Sequence, residues 1–231
     1  MKGKKILAIG AHIGDMELTA GGVLASNALN GGKNLILALT AGERGNPPTI
    51  NQANYRIQKV KEAQEFASMV NGEALVFDYP DGELPNNHEA RIKIAQVIRD
   101  FKPDVILTHW QSTMHKDHHN THLMVSDAAY YAGTDIGEQL KGERHYAPVY
   151  FCENWEDGDG FEPYIYVDIT LGYELWTKAI AKHWFIMNSP WFSYYDYYTS
   201  LARVRGCLNK TKYAESFTVF ERQKRIKKDM I

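Results

Sequence analysis

The amino-terminal half of the chain alternates short apolar runs with amphipathic stretches, and that alternation leaves few folds open. The runs are Ile6 to Ile9, Leu35 to Leu39, Ala74 to Phe77 and Val105 to Leu107. Each is too short for a buried helix and reads as a buried strand. Between them, Glu17 to Asn30, Asn54 to Val70 and Glu89 to Phe101 place apolar residues three and four apart, as helices packed on a sheet do, and Gly31-Gly32 and Asn71-Gly72 supply stops. Strands alternating with helices imply βαβ units. The expectation is an α/β, Rossmann-like three-layer domain with a mostly parallel sheet and helices on both faces. Further on, Val149 to Phe151 and Tyr164 to Val167 read as later strands, followed by helices around Leu171 to Met187 and Tyr194 to Leu208. The loop Asp157 to Gly160 lacks the full calcium-loop pattern and its distal Glu, so turn chemistry accounts for it. No linker or repeat interrupts the pattern, which predicts one domain over residues 1–231.

Hydrophobic residues at 44% and charged residues at 23% are ordinary globular usage. A formal net charge of −2 gives no basis for nucleic-acid binding. The one basic cluster, Arg222, Lys224, Arg225, Lys227 and Lys228, reads as a solvated helix or tail. No segment offers the ~20 apolar residues of a membrane span, and the apolar stretch Ile6 to Ala11 is too short for a signal-peptide core. Cys152 and Cys207 form no C-x-x-C pair, and two free thiols fit a reducing compartment. A cytoplasmic protein is expected.

In open α/β sheets ligands gather beyond the carboxyl ends of strands. After the first strand comes Ala11-His12-Ile13-Gly14-Asp15-Met16-Glu17, and after the fourth come Thr108-His109-Trp110 and then Met114-His115-Lys116-Asp117-His118-His119. A parallel sheet can bring two such strand ends together, and imidazole with carboxylate is a zinc ligand set. His119 and His122 read as bystanders. His109, which continues the strand, reads equally as a ligand or as a group hydrogen-bonded to one. A nucleotide-binding alternative is poorly supported, since Gly10 and Gly14 do not make G-x-G-x-x-G.

Taken together, these stretches resemble the PIG-L or LmbE-like family of zinc-dependent N-deacetylases. The resemblance rests on Ala11-His12-Ile13-Gly14-Asp15 with Gly21-Gly22, on His115-Lys116-Asp117-His118, and on Thr40 to Gly45, Lys59 to Ala63, Tyr79 to Gly82 and Tyr213 to Phe217. It implies that His12, Asp15 and His118 hold the metal, zinc or another divalent transition metal. It further implies that His115 assists the developing oxyanion, that Asp117 orients it or a metal-bound imidazole, and that Glu43 and Asp81 lie on the sugar-binding side. The implied substrate is an N-acetylated sugar or similar small molecule. Glu43 and Asp81 have plain turn and loop readings as well.

Gly14 stands where the family carries the Asp that serves as general base. Three consequences are open: another base such as His115, Asp117 or Glu17; hydrolysis of a different bond; or a metal-retaining protein without catalysis. The aromatic stretch Trp191 to Tyr198 reads as core or subunit interface, with a substrate lip as the alternative, and a homo-oligomer is allowed.

Overall fold

The computed structural model describes residues 2–225. Seven strands form one sheet in the order β3-β2-β1-β4-β5-β7-β6. They are β1 (Lys5–Gly10), β2 (Lys33–Thr40), β3 (Gly72–Tyr79), β4 (Val105–His109), β5 (Val149–Cys152), β6 (Ile165–Asp168) and β7 (Ala214–Thr218). The pairs among β1 to β5 are parallel, while β7 runs antiparallel to both β5 and β6. The mostly parallel α/β sheet expected from the alternating pattern is therefore present. β7 was not foreseen, because its residues Ala-Glu-Ser-Phe-Thr carry too little apolar content to signal a strand, although all five are buried.

Helices cover both faces. One is built from α1 (Asp15–Thr19), α2 (Gly21–Leu29), α3 (Gln52–Met69), α6 (Tyr173–Ile180), α7 (Trp184–Asn188) and α8 (Tyr194–Asn209), and its core gathers Met16, Leu24, Phe66, Trp176 and Tyr198. The other is built from α4 (His88–Phe101) and α5 (Lys116–Gly133), with Ile94, Ile98, Met124 and Val125 against Leu7, Ile9 and Leu37. The strands between are apolar on both sides, as central parallel strands must be. Local sequence sets the helix starts: Asn51 and Asn87 accept the N–H groups of Asn54 and Ala90 as N-caps of α3 and α4.

Two expected helices are each divided. The span 17–30 breaks at Ala20 into α1 and α2, and the span 171–187 into α6 and α7. The first break is held by Glu215 of β7, whose carboxylate accepts N–H groups from Gly22 (2.7 Å) and Val23 (2.8 Å) at the start of α2. The glycine pair is there for space: a Cβ at Gly21 would stand 2.4 Å from the Trp176 ring. Trp176 in turn donates from Nε1 to the Glu17 carbonyl at 2.8 Å, so β7, α6 and α1 are tied into one support beneath the loop after β1. No helix among the described residues is long and apolar enough to cross a membrane. Both cysteines are free. Of the basic cluster, Lys227 and Lys228 lie outside the described residues.

Candidate active site

The winding of the sheet reverses at β1, which has β2 on one side and β4 on the other. That reversal opens a crevice at the carboxyl ends, where ligands bind in open α/β sheets. His12 leaves β1 and Asp15 opens α1, with Asp15 Oδ2 accepting the His12 N–H at 2.7 Å. His109 ends β4, and α5 begins at Lys116 with His115 as its N-cap, Nδ1 accepting the Asp117 N–H at 3.2 Å. One turn of α5 thereby brings His115, Asp117 and His118 to the same point as His12 and Asp15.

Asp15 Oδ2 lies at the centre. It is 3.4 Å from His12 Nδ1, 3.5 Å from His118 Nε2 and 3.1 Å from His109 Nε2. His12 Nε2 is 3.1 Å from Asp81 Oδ1 and 3.4 Å from Asp117 Oδ2. The rings of His12 and His118 are 5.3 Å apart, and His115 lies 4.7 and 4.8 Å from them. Three overlapping sets bring ligand atoms within 4.8 Å of one another: His12, His115 and His118; Asp15, His109 and His118; His12, Asp81 and Asp117. His12 Nε2 and His118 Nε2 are buried without a hydrogen-bond partner. Buried polar atoms are nearly always paired, so these two nitrogens are candidates for binding an electrophile.

The carboxylate that orients the cluster is Asp157. Its Oδ1 takes His118 Nδ1 and its Oδ2 takes His109 Nδ1, both at 2.9 Å, and none of the three is exposed. A proton held on His118 Nδ1 leaves the Nε2 lone pair free, the arrangement found behind metal-bound imidazoles. The Asp157 to Gly160 loop is a turn, as expected, but its first residue also reaches back 39 positions to His118, a role that turn chemistry does not cover. Spacing alone gives no sign of that.

The site distributes charge unevenly. Burial and the neighbouring His109 push the His118 pKa down to about 4, so its ring is neutral. His109 is raised to about 9: burial opposes a charge there, but Asp157 and Asp15 flank the ring and favour it. Burial also opposes a charge on His12, yet Asp15, Asp117 and Asp81 hold its pKa well above the ordinary value. The carboxylates thus favour a positive charge at the His12 ring.

An open cavity of about 670 Å³ lies over this cluster. Asp81 and His115 line it. Glu43 does not: its Oε1 accepts the Asp81 N–H at 3.0 Å and its Oε2 is 3.6 Å from Arg56, so it positions Asp81. Asp117 lies beside His12 rather than the His115 ring, and also accepts the Gly82 N–H at 2.7 Å. His119 and His122 stay outside, as expected. The aromatic stretch divides its duties: Tyr198 is buried and donates to Asn154 at 3.0 Å, while Trp191 and Tyr194 line the cavity, Trp191 being 93% exposed. Glu156, Lys59, Tyr55 and Phe185 line it too, and none was singled out from sequence. Glu156 stands 3.7 Å from His118 Nε2, its pKa pushed to about 7 by burial and by Asp15 and Asp157.

Gly14 has φ of +111°, which L side chains avoid, and a Cβ there would stand 2.2 Å from Phe185 Cζ. The Phe185 ring occupies the space a residue-14 side chain would enter.

A parallel α/β sheet with imidazoles and carboxylates clustered where its winding reverses defines a Rossmann-like protein with a transition-metal type of donor set. The profile of the GlcNAc-PI de-N-acetylase family, PIG-L, matches residues 7–129, and the chain belongs to that family. It is 27% identical over 214 residues to the 4-oxalmesaconate hydratase of Pseudomonas putida, covering 88% of this chain and 80% of that protein. It is 24% identical over 224 residues to the diacetylchitobiose deacetylase of Thermococcus kodakarensis, covering 92% and 81%. Among solved structures, the 4-carboxy-2-hydroxymuconate hydratase of Pseudomonas putida superposes with a TM-score of 0.85 at 23% identity, covering 100% of both chains.

Behind the cavity His183 is fully buried, its two ring nitrogens without hydrogen-bond partners, 3.9 Å from Glu17 and 4.0 Å from Glu62. Burial and then the Lys59 charge depress its pKa from 6.5 to about 3. Below pH 6.5 the unfolded chain therefore takes up a proton that the folded chain refuses, and this stability is lost as pH falls toward 3. Urea unfolding at pH 7 and pH 5 is expected to show a smaller loss for His183→Phe than for the natural protein, by up to roughly 1.4 kcal/mol per pH unit. Equal losses would remove His183 as the cause.

Proposed function

We propose that this chain is a divalent-metal-dependent enzyme, zinc being the leading candidate, that adds water to a small carbonyl compound, with an N-acetylated sugar or related N-acyl compound as the first substrate class. The observation that carries the reading is the convergence of two buried imidazoles on Asp15 Oδ2, His12 through Nδ1 at 3.4 Å and His118 through Nε2 at 3.5 Å, with the Nε2 atoms of both rings lacking a hydrogen-bond partner among the described residues. His12, Asp15 and His118 would hold the ion, and Asp157 fixes His118 for that duty. When bound, such an ion supplies Lewis acidity toward a carbonyl oxygen and toward water.

The chain's own residues divide the remaining work. His115 Nδ1 is occupied in accepting the Asp117 N–H, so the ring hydrogen sits on Nε2. His115 is therefore set to donate to a developing oxyanion and not to serve as the base. Among the described residues the Glu156 side chain makes no hydrogen bond, and it faces His118 across the cavity floor. It is the carboxylate placed to take a proton from water now that residue 14 has no side chain. Membership of the PIG-L family and likeness to a diacetylchitobiose deacetylase support amide hydrolysis.

A second reading, hydration of a carbon–carbon double bond conjugated to a carboxylate or ketone, is favoured by Phe185. Its ring fills the position from which a residue-14 carboxylate would act, and a relative 27% identical is a hydratase. In this reading an ion held by the same donor set would supply the Lewis acidity toward the conjugated oxygen, and Glu156 again handles the proton.

Purified protein is expected to carry about one equivalent of a divalent transition metal, and Asp157→Asn to weaken zinc binding roughly 10–100-fold and to lower Tm, because both imidazoles that it holds are buried. A protein that takes up no zinc in a calorimetric titration refutes the reading. Acetate release from a panel of N-acetylated sugars, set beside loss of ultraviolet absorbance from conjugated unsaturated acids, separates the two chemistries. In either assay Glu156→Gln is expected to lower kcat by ~10²–10⁴-fold while metal content is kept; an unchanged kcat removes Glu156 as the base. Gly14→Asp alone is expected to lower Tm and add no deacetylation, because Phe185 occupies the space, whereas pairing it with Phe185→Ala makes room. A gain of acetate release from the single substitution contradicts that account.

A further inference from the structure

Two hydrogen-bond donors in the cavity wall have no adequate partner. Tyr55 and Lys59 stand one turn apart on α3 and so share a face. Both line the cavity, at 1% and 5% exposure. The Tyr55 hydroxyl is buried with no hydrogen-bond partner. Lys59 Nζ donates to the Gly42 carbonyl at 3.2 Å, and among the described residues it has no other acceptor and no ion pair within 4.0 Å. An ammonium buried with one acceptor of three is costly unless something supplies the counter-charge.

The nearby carboxylates do not supply it. Asp15 is engaged by His12, His109 and His118, and Asp81 accepts the Arg44 N–H and lies at ion-pair distance from the His12 ring, 3.1 Å. Glu17 caps the Gly14 N–H, and Glu62 accepts from Gln58. Burial holds the Lys59 pKa below its usual value, while Asp15, Asp81, Glu17 and Glu62 act to keep the charge. Two aromatic rings steady the ammonium, Phe185 at 4.6 Å and Tyr55 at 5.8 Å. Its location ties it to the reaction centre: a Cβ on Gly42 would lie 2.7 Å from Lys59 Nζ and 3.1 Å from His12 Cβ. The ammonium and the metal-site imidazole flank one glycine, so a single small molecule can reach both.

We infer that Lys59 and Tyr55 form a carboxylate-binding subsite, and that the substrate is a small acid whose carboxylate lies on the arm away from the reacting carbonyl. The inference rests on the cavity being the substrate site, as proposed above. It names an acidic member of either substrate class, an N-acylated acid or an unsaturated polyacid, in place of a neutral sugar.

The test is calorimetric binding to the zinc-treated protein with malonate, succinate and maleate as probes, acetate as the one-carboxylate control and N-acetylglucosamine as the neutral one. At least one dicarboxylate is expected to bind about tenfold or more tightly than acetate. Lys59→Met is expected to abolish that advantage, with Lys59→Arg restoring part of it. Tyr55→Phe is expected to weaken the same dicarboxylate by roughly threefold to tenfold. Removing an unpaired buried charge is expected to leave Tm level or raise it, which a merely structural lysine would not do. Dicarboxylates no tighter than acetate, or an advantage that survives Lys59→Met in a folded protein, overturn the subsite. Zinc uptake, measured on the same samples, reports separately on the metal reading. Zinc bound with no Lys59 dependence defeats the subsite alone, whereas Lys59-dependent binding without zinc uptake supports the subsite and defeats the metal reading.

Discussion

The pairing of β1 with β4 is the constraint from which the site follows. Ile6 lies beside Val105 and Ile9 beside Thr108, so two stretches separated by about a hundred residues end level with each other. Each ends in a segment that is polar at its tip and apolar behind. The apolar part holds the register, because a one-residue slip in a strand buried on both faces would misplace every side chain along it. The polar part then has nowhere to go but the crevice, and His12, Asp15, His109, His115 and His118 converge there. β5, paired with β4 from Ile106 to His109, delivers the third contribution, since the chain leaving Cys152 turns back through Asn154 to Asp157.

Burying so many titratable groups together is tolerable only because they are satisfied as a set. Asp157 spends both oxygens on imidazoles, and Asp15 spends one oxygen on a backbone N–H and the surrounding imidazoles. What remains unsatisfied is confined to a few atoms: the Nε2 atoms of His12 and His118, both nitrogens of His183, the Tyr55 hydroxyl and one oxygen each of Glu43 and Glu62 among them. Several of these line or adjoin the same cavity. Stability arguments alone would disfavour leaving donors and lone pairs of this kind unused, so their concentration at one place is the mark of a binding function.

Much of this was legible in the sequence, and the illegible part has a common cause. The four leading strands announced themselves through apolar runs, and the two histidine-bearing loops through polar residues at strand ends. The expected ligands His12, Asp15 and His118 followed from the family resemblance; both imidazoles lie within 3.5 Å of Asp15 Oδ2, but no one of the three donor sets contains all three residues. β7 stayed hidden because it is buried through tertiary packing and not through apolar content; Glu215 within it is spent on the α2 N-terminus. Asp157 looked like turn chemistry because its partners are 39 and 48 residues away. Lys59 lay inside a helical pattern whose charged positions are ordinarily solvated, and only the closeness of Gly42 and Phe185 shows that it is not.

Gly14 and Phe185 show why a single position is an unsafe guide to chemistry. Read alone, a glycine in place of a carboxylate signals a missing base and a weakened enzyme. Beside Phe185 it signals something else, because the backbone of Gly14 is in a left-handed conformation and the aromatic ring already fills the space. Either residue without the other is unfavourable: a side chain at 14 would meet the ring, and a small residue at 185 would leave a void beside Gly14 and remove the ring from over Lys59. The two form a matched pair that puts an apolar wall at this point, and the same ring is the face on which the Lys59 ammonium rests. With an apolar wall at that point, the carboxylate proposed above to handle a proton is Glu156, which lines the same cavity 3.7 Å from His118 Nε2.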